Sequence, residues 1–208
     1  YVTGWLLGIE RNVISRASHT QWTPSLEPRI TGKRMGIMGT GGIGSAIALA
    51  AKSFGLEVIG LNSDGRALEG FNTCYPSADR LAFAEGLDYL VSVLPQTSQT
   101  DNLIDQKVLM RLNPGAIVIN VGRGNAVVEA DLIASLNAGH LRAAVLDVFR
   151  VEPLPADDLL WSTPGVHITS HTAGPTPDEA VAEVFERNLK LYIAGEPLTD
   201  AVQAGRGY

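Results

Sequence analysis

One cysteine, Cys74, stands in 208 residues, so an internal disulfide is excluded and no thiolate cluster is available to a metal. No stretch approaches the ~20 apolar residues that a membrane-spanning helix needs. A signal peptide is missing too, and a cytoplasmic protein is the expectation. Basic runs are equally scarce. With a net charge of −6 and a pI near 5.2, non-specific nucleic-acid binding is disfavoured. Apolar residues at 45% and charged residues at 18% are an ordinary globular balance. The length suits one large domain, or one domain and part of a second. The first residue is Tyr1 rather than Met, from which a fragment or a processed form is expected.

What is present is alternation. Val2, Leu6, Ile9, Val13 and Ile14 form a helical stripe over residues 1–20, followed by an extended arm bearing Trp22, Pro24 and Pro28. From Lys33 onward predicted strands at 34–38, 57–61, 88–94, 116–121, 142–148 and 166–169 interleave with predicted helices at 42–54, 105–111 and 129–138. Several of the strands are continuous apolar runs, which suits burial on both faces. An α/β fold with a doubly wound parallel sheet follows. A last helix is predicted behind Thr176-Pro177-Asp178-Glu179, a capping box with Pro at the first helical position. Val181, Val184, Asn188, Leu191 and Tyr192 would bury one face of it, and Gly195 would close it.

Gly39-Thr40-Gly41-Gly42-Ile43-Gly44 is a G-x-G-x-x-G between the first of those strands and its helix. Gly39 permits the tight turn, Gly41 lets a pyrophosphate approach the backbone, and Gly44 lets helix and strand pack closely. Free N–H groups at the start of the helix, around Gly42 and Ile43, would bind the phosphates. The motif alone is weak; in a strand–turn–helix setting it predicts dinucleotide binding. At the end of the next strand NAD-specific domains place an acid for the ribose 2′-OH. Here Asn62 takes that place, with Ser63 and Arg66 beside it. Removing the carboxylate removes repulsion toward a 2′-phosphate, and Ser63 and Arg66 can donate to one. NADP is therefore expected over NAD, although Asp64 argues for NAD if it points inward.

Three polar residues, Arg123, Glu152 and His171, follow apolar runs farther along. The carboxyl ends of the strands line the ligand crevice in such a sheet. A cation, a carboxylate and an imidazole would then meet at one edge. Alone, each has an ordinary reading: a solvated loop cation, a turn acid, a structural histidine. His19, His140 and His167 lack such company and read as structural or surface residues.

The order of motifs resembles the D-isomer-specific 2-hydroxyacid dehydrogenase family. It is carried by Leu94-Pro95-Gln96-Thr97 with Thr100, Asn120-Val121-Gly122-Arg123-Gly124, Leu146-Asp147-Val148-Phe149, Glu152-Pro153-Leu154-Pro155 and Ser170-His171-Thr172-Ala173-Gly174. The tail from Gly195-Glu196-Pro197 to Arg206-Gly207-Tyr208 looks most like the glyoxylate/hydroxypyruvate reductase A branch. The resemblance implies a hydride transfer between NAD(P)H and a small 2-keto acid, and a homodimer held through the first helix and arm. It places Asp147 near the nicotinamide carboxamide and Leu94, Pro95, Val121 and Gly174 along the cofactor wall, with Thr100 and Gly122 among the contacts. The residue types agree with that chemistry. His171 can supply a proton near neutral pH, since free imidazole titrates near ~6.5. Glu152 beside it would favour the imidazolium. Arg123 can hold the substrate carboxylate or stabilise its oxygen.

Members of that family have two domains. Residues 1–174 would be the dinucleotide-binding domain, with 1–30 as its helix and dimer arm. Residues 175–208 would be a returning segment of the substrate domain, whose N-terminal part, roughly 100 residues, is not in this sequence. In that case the final helix would expose apolar surface. Other outcomes stay open: a lactate- or phosphoglycerate-type dehydrogenase, an NAD(H)-sensing corepressor-like protein, or an inactive dinucleotide-binding module.

Overall fold

The computed structural model describes residues 1–17, 19–22, 24, 26, 29–199 and 201. Pro28 of the predicted arm and the segment Arg206–Tyr208 lie outside these. Two compact units are present, Tyr1–Ala173 and Gly174–Tyr208.

In the first unit seven strands form one sheet: β1 (Arg34–Met38), β2 (Glu57–Asn62), β3 (Thr73–Pro76), β4 (Tyr89–Ser92), β5 (Ala116–Asn120), β6 (Leu141–Leu146) and β7 (Val166–Ile168). The order is β3-β2-β1-β4-β5-β6-β7 and every pairing is parallel. Strand order therefore reverses between β1 and β4, the point where such sheets open a crevice. Helices α1 (Val2–Glu10), α2 (Val13–Arg16), α3 (Gly42–Ser53), α4 (Arg80–Ala84), α5 (Gln106–Leu109) and α6 (Glu129–Asn137) complete the unit.

The alternation of side chains along a strand builds two cores. Ile37, Val58, Val91, Ile117, Ile119 and Val145 share one with Leu6 of α1 and Ala48 of α3. Their neighbours Met38, Ile59, Leu90, Val118 and Ala144 share the other with Phe83 of α4, Val108 of α5 and Leu132 of α6. Both faces are dry, which is why the strands read as unbroken apolar runs. The sheet is doubly wound, as the sequence predicts.

Several elements differ from expectation. The stripe over 1–20 is two helices, because Asn12 adopts a left-handed conformation with φ 52°. Its Oδ1 accepts from Arg142 Nη2 at 2.9 Å, so the break is tied to the start of β6. Edge strand β3 and the five-residue α4 were not anticipated. Trp22 is 95% exposed, whereas Trp5 packs on the His167 ring with centroids 5.2 Å apart.

In the second unit α7 runs from Asp178 to Ala194. The predicted capping box is not formed. Pro177 is the N-cap, extended at φ −67° and ψ 144°, and no side chain caps the helix. Proline at that position keeps Thr176 one residue too far from the helix to act as its cap. Gly195 does close the helix, left-handed at φ 70°. Its predicted stripe is not buried: Val181, Val184 and Tyr192 are exposed, together with Phe185 and Ile193.

Candidate active site

The glycine loop leaves β1 at Gly39, whose φ of +97° suits only glycine. A Cβ on Gly44 would lie 2.0 Å from the Gly39 carbonyl oxygen, so helix and turn touch there. Nothing lies within 4 Å of a Cβ at Gly41 or Gly42, and Ile43 is exposed. No side chain caps α3 and no acid sits in its first turn. Open backbone, uncapped N–H groups and the positive end of a twelve-residue helix fit a pyrophosphate.

At the end of β2, Asn62 turns inward. Its amide nitrogen donates to Thr40 Oγ1 at 3.3 Å and to the Arg66 carbonyl at 3.0 Å, while its oxygen accepts from Gly65 N at 2.6 Å. Asn62 thus braces the 62–66 turn. Ser63 is exposed. Asp64 points outward, pairing with Arg66 at 3.5 Å with both side chains more than half exposed.

The crevice wall follows β4. Thr100 is buried; its hydroxyl donates to the Pro95 carbonyl at 2.6 Å and accepts from Thr97 N at 3.0 Å, closing the 95–100 turn. Leu94 is buried behind it, and a Cβ on Gly122 would lie 2.6 Å from the Leu94 backbone. Val121 continues β5 with its amide on the Ser92 carbonyl at 3.0 Å. Gly174 begins the second unit.

Arg123 owes its place to Asn120, which is fully buried at the end of β5. The Asn120 side chain accepts from Gly122 N at 3.2 Å and donates to the Arg123 carbonyl at 3.0 Å. The exposed Arg123 side chain sends Nη1 back to the Gly122 carbonyl at 2.8 Å. Beyond it the 3₁₀ turn Gly124–Ala126 packs against the peptide after β6: a Cβ on Gly124 would sit 1.9 Å from the Phe149 carbonyl carbon.

That same peptide stretch carries Glu152. Its Oε1 accepts from Phe149 N at 2.9 Å, and its Oε2 lies 2.8 Å from His171 Nδ1. Burial pushes the Glu152 carboxyl up. The His171 hydrogen bond, the Phe149 amide and the His171 and Arg123 charges outweigh it and hold the group below the usual carboxylate range. Arg123, Glu152 and His171 therefore share one electrostatic site, past the ends of β5, β6 and β7.

Asp147 does something the sequence did not reveal. It is 1% exposed, and its oxygens face the turn that carries His171. Thr169 Oγ1 and Thr172 N donate to Oδ1, the latter at 2.9 Å, and Ala173 N donates to Oδ2 at 2.9 Å. Its carbonyl accepts from His171 N at 2.8 Å, with His171 left-handed at φ 55°. Burial raises the Asp147 carboxyl, but the Thr169, Thr172 and Ala173 bonds and the His171 charge leave it lowered. Among the described residues no His, Cys, Asp and Glu cluster could hold a metal. No described helix is long and apolar enough to cross a membrane.

The model of the D-isomer specific 2-hydroxyacid dehydrogenase NAD-binding domain matches residues 7–173. The chain belongs to this family. Glyoxylate/hydroxypyruvate reductase A of Yersinia enterocolitica is 36% identical over 189 residues, 90% of this chain and 60% of the relative. The protein of the same name from Klebsiella pneumoniae is 35% identical, covering 91% of this chain and 61% of the relative. The chain thus spans about 60% of the length of the curated relatives it matches. Among solved structures, an NADPH-dependent glyoxylate/hydroxypyruvate reductase from Sinorhizobium meliloti, in complex with NADP and sulfate, matches with a TM-score of 0.90 at 30% identity. It is covered over 67% of its length by all of this chain. A family member from Xanthobacter autotrophicus Py2, in complex with NADPH and MES, gives a TM-score of 0.90 at 34% identity, with 100% of this chain and 87% of that one covered.

Proposed function

We propose that this chain is the dinucleotide-binding part of an NADPH-dependent reductase of small 2-keto acids, of the glyoxylate/hydroxypyruvate type. The observation that carries the reading is the 2.8 Å contact between His171 Nδ1 and Glu152 Oε2, beside Arg123 and in the same unit as a vacant-capped glycine loop. Gly39, Gly41, Gly42, Ile43 and Gly44 would hold the pyrophosphate. Ser63 and Arg66 would meet the ribose 2′-phosphate, on a turn braced by Asn62. Leu94, Pro95, Thr100, Val121 and Gly122 would border the nicotinamide half, with Asp147 behind the His171 turn. Two relatives support NADP use, the Sinorhizobium structure being in complex with NADP and the Xanthobacter one with NADPH.

A bound dihydronicotinamide would supply the hydride for the keto carbon. Arg123 holds the substrate carboxylate and stabilises the oxygen as negative charge develops there. Glu152 engages Nδ1 at 2.8 Å, so Nε2 is the nitrogen left to protonate that oxygen. The product is a 2-hydroxy acid, and His171 is left neutral. The same atoms run backwards in the oxidation. We further propose a cytoplasmic homodimer with α1 in the contact, since Val13 and Ile14 beside it are exposed apolar residues.

The test is a spectrophotometric assay of the full-length protein with NADPH or NADH and glyoxylate, hydroxypyruvate or pyruvate. Turnover faster with NADPH than with NADH, on glyoxylate or hydroxypyruvate, is expected. Absence of turnover with every keto acid overturns the reductase reading.

A further inference from the structure

Arg150 lies one residue past Phe149. In the structure it joins three loops. Nη2 donates to the carbonyls of Asn125 and Val127, each at 2.8 Å, and to Asn102 Oδ1. Nε adds a second bond to the Val127 carbonyl at 3.2 Å. Nη1 faces Asp101 at 3.6 Å, and the side chain is only about a third exposed. A planar guanidinium grips carbonyls at two positions of one turn in a way that a lysine ammonium does not reproduce.

The gripped turn is the one that follows Arg123. Its own closure is weak: Ala126 N reaches the Arg123 carbonyl at 3.3 Å and Val127 N the Gly124 carbonyl at 3.2 Å. On the opposite side Gly124 rests on the Phe149–Arg150 peptide without room for a Cβ. Glu152 is bonded to Phe149 N in that same stretch. Arg150 therefore sits where the support of Arg123 and the support of Glu152 meet.

We propose that Arg150 is a positioning residue that sets the reach of Arg123 toward the substrate by clamping the 124–127 turn to the 149–152 stretch. It touches neither substrate nor cofactor. The proposal rests on Arg123 being the substrate-binding arginine of the reductase reading.

The experiment compares Arg150→Met and Arg150→Lys in the full-length protein, each alone and with Arg123→Ala. Because misplacement by about an ångström can cost on the order of a hundredfold, Arg150→Met is expected to lower kcat/KM for the keto acid by roughly tenfold to a hundredfold. The loss should fall mainly on KM, with NADPH affinity within about twofold, and Arg150→Lys should recover part of it. Acting through Arg123, the substitution should change little more in the Arg123→Ala background. Amide hydrogen exchange gives a second reading that needs no turnover: Ala126 and Val127 should exchange faster in Arg150→Met. Full multiplication of the two losses, wild-type kcat/KM in Arg150→Met, or unchanged exchange at 126–127 each overturns the proposal. A wild-type protein without keto-acid activity sinks the reductase reading instead, and the exchange result then still decides whether Arg150 holds the turn.

Discussion

Asp147 and His171 are joined through the main chain: the Asp147 carbonyl accepts the His171 amide at 2.8 Å, and its carboxylate accepts the next two amides, Thr172 and Ala173. A buried acid on the far side of the loop thereby fixes a histidine in a left-handed conformation that non-glycine residues seldom adopt.

Asp147→Asn replaces an acceptor-only group by one that turns an N–H toward donors. Breaking a charge-assisted buried bond costs roughly 1.5–3 kcal/mol. A lower urea midpoint is expected, with turnover reduced more than NADPH affinity. The acid limb follows from the lowered carboxyl. Its stabilisation is present above the unfolded value of 3.8 and is lost as pH falls through the still lower folded value. Urea titrations of wild type and variant should therefore converge below that range; a constant gap between them argues against the assignment.

His171→Ala should abolish turnover and leave NADPH binding nearly intact, because on the proposed reading the imidazole supplies the proton and does not touch the cofactor. Glu152→Gln should keep a partner for Nδ1, 2.8 Å away in the wild type, but remove the negative charge beside the ring. Its reduction rate is expected to fall below that of wild type with NADPH affinity nearly unchanged. Single-turnover kinetics read this directly, and a wild-type rate removes Glu152 from the site's chemistry.

Arg66→Ala is expected to weaken NADPH by about tenfold with little effect on NADH, the loss of one charge-assisted bond. Asp64→Asn should act oppositely, because it releases Arg66 from its 3.5 Å pair. Fluorescence titration with both nucleotides measures each. Equal effects of Arg66→Ala on the two cofactors would remove it from the 2′-phosphate.

His167, against Trp5, is held below its ordinary value of 6.5 by burial. The unfolded chain then binds more protons than the folded one in this range, so stability is complete above 6.5 and falls as pH drops toward the folded value. Denaturation midpoints at pH 8 and 5.5 should differ less in His167→Gln than in wild type. An identical pH dependence in both counts against the Trp5–His167 contact as its source.

Much of this was legible because it is local. The runs at 116–121 and 143–148 announce buried strands, and the glycine loop announces its own turn. Arg123, Glu152 and His171 could be paired in advance because each follows such a run. Asp147 and Arg150 could not be read in the same way. Their partners are main-chain groups about 25 residues away, Thr172 and Ala173 for one, Asn125 and Val127 for the other. Backbone carries no residue identity, so no pattern marks it. Strand β3 escaped notice for a different reason: four residues ending in Pro76 have no room to display alternation. The start of α7 was misplaced by one residue because Thr-Pro-Asp-Glu satisfies the cap pattern in letters, while ψ at Pro177 stays extended.

The strand order carries a practical consequence. The turn after β2 and the chemistry after β5, β6 and β7 are separated by β1 and β4, three strand spacings or roughly 14 Å at the nearest. On the proposed reading, substitutions at Ser63, Asp64 and Arg66 would exchange one nicotinamide cofactor for the other without disturbing the imidazole or its carboxylate. Coenzyme choice and catalytic rate would then be separately adjustable, and a redesign could treat them as two problems.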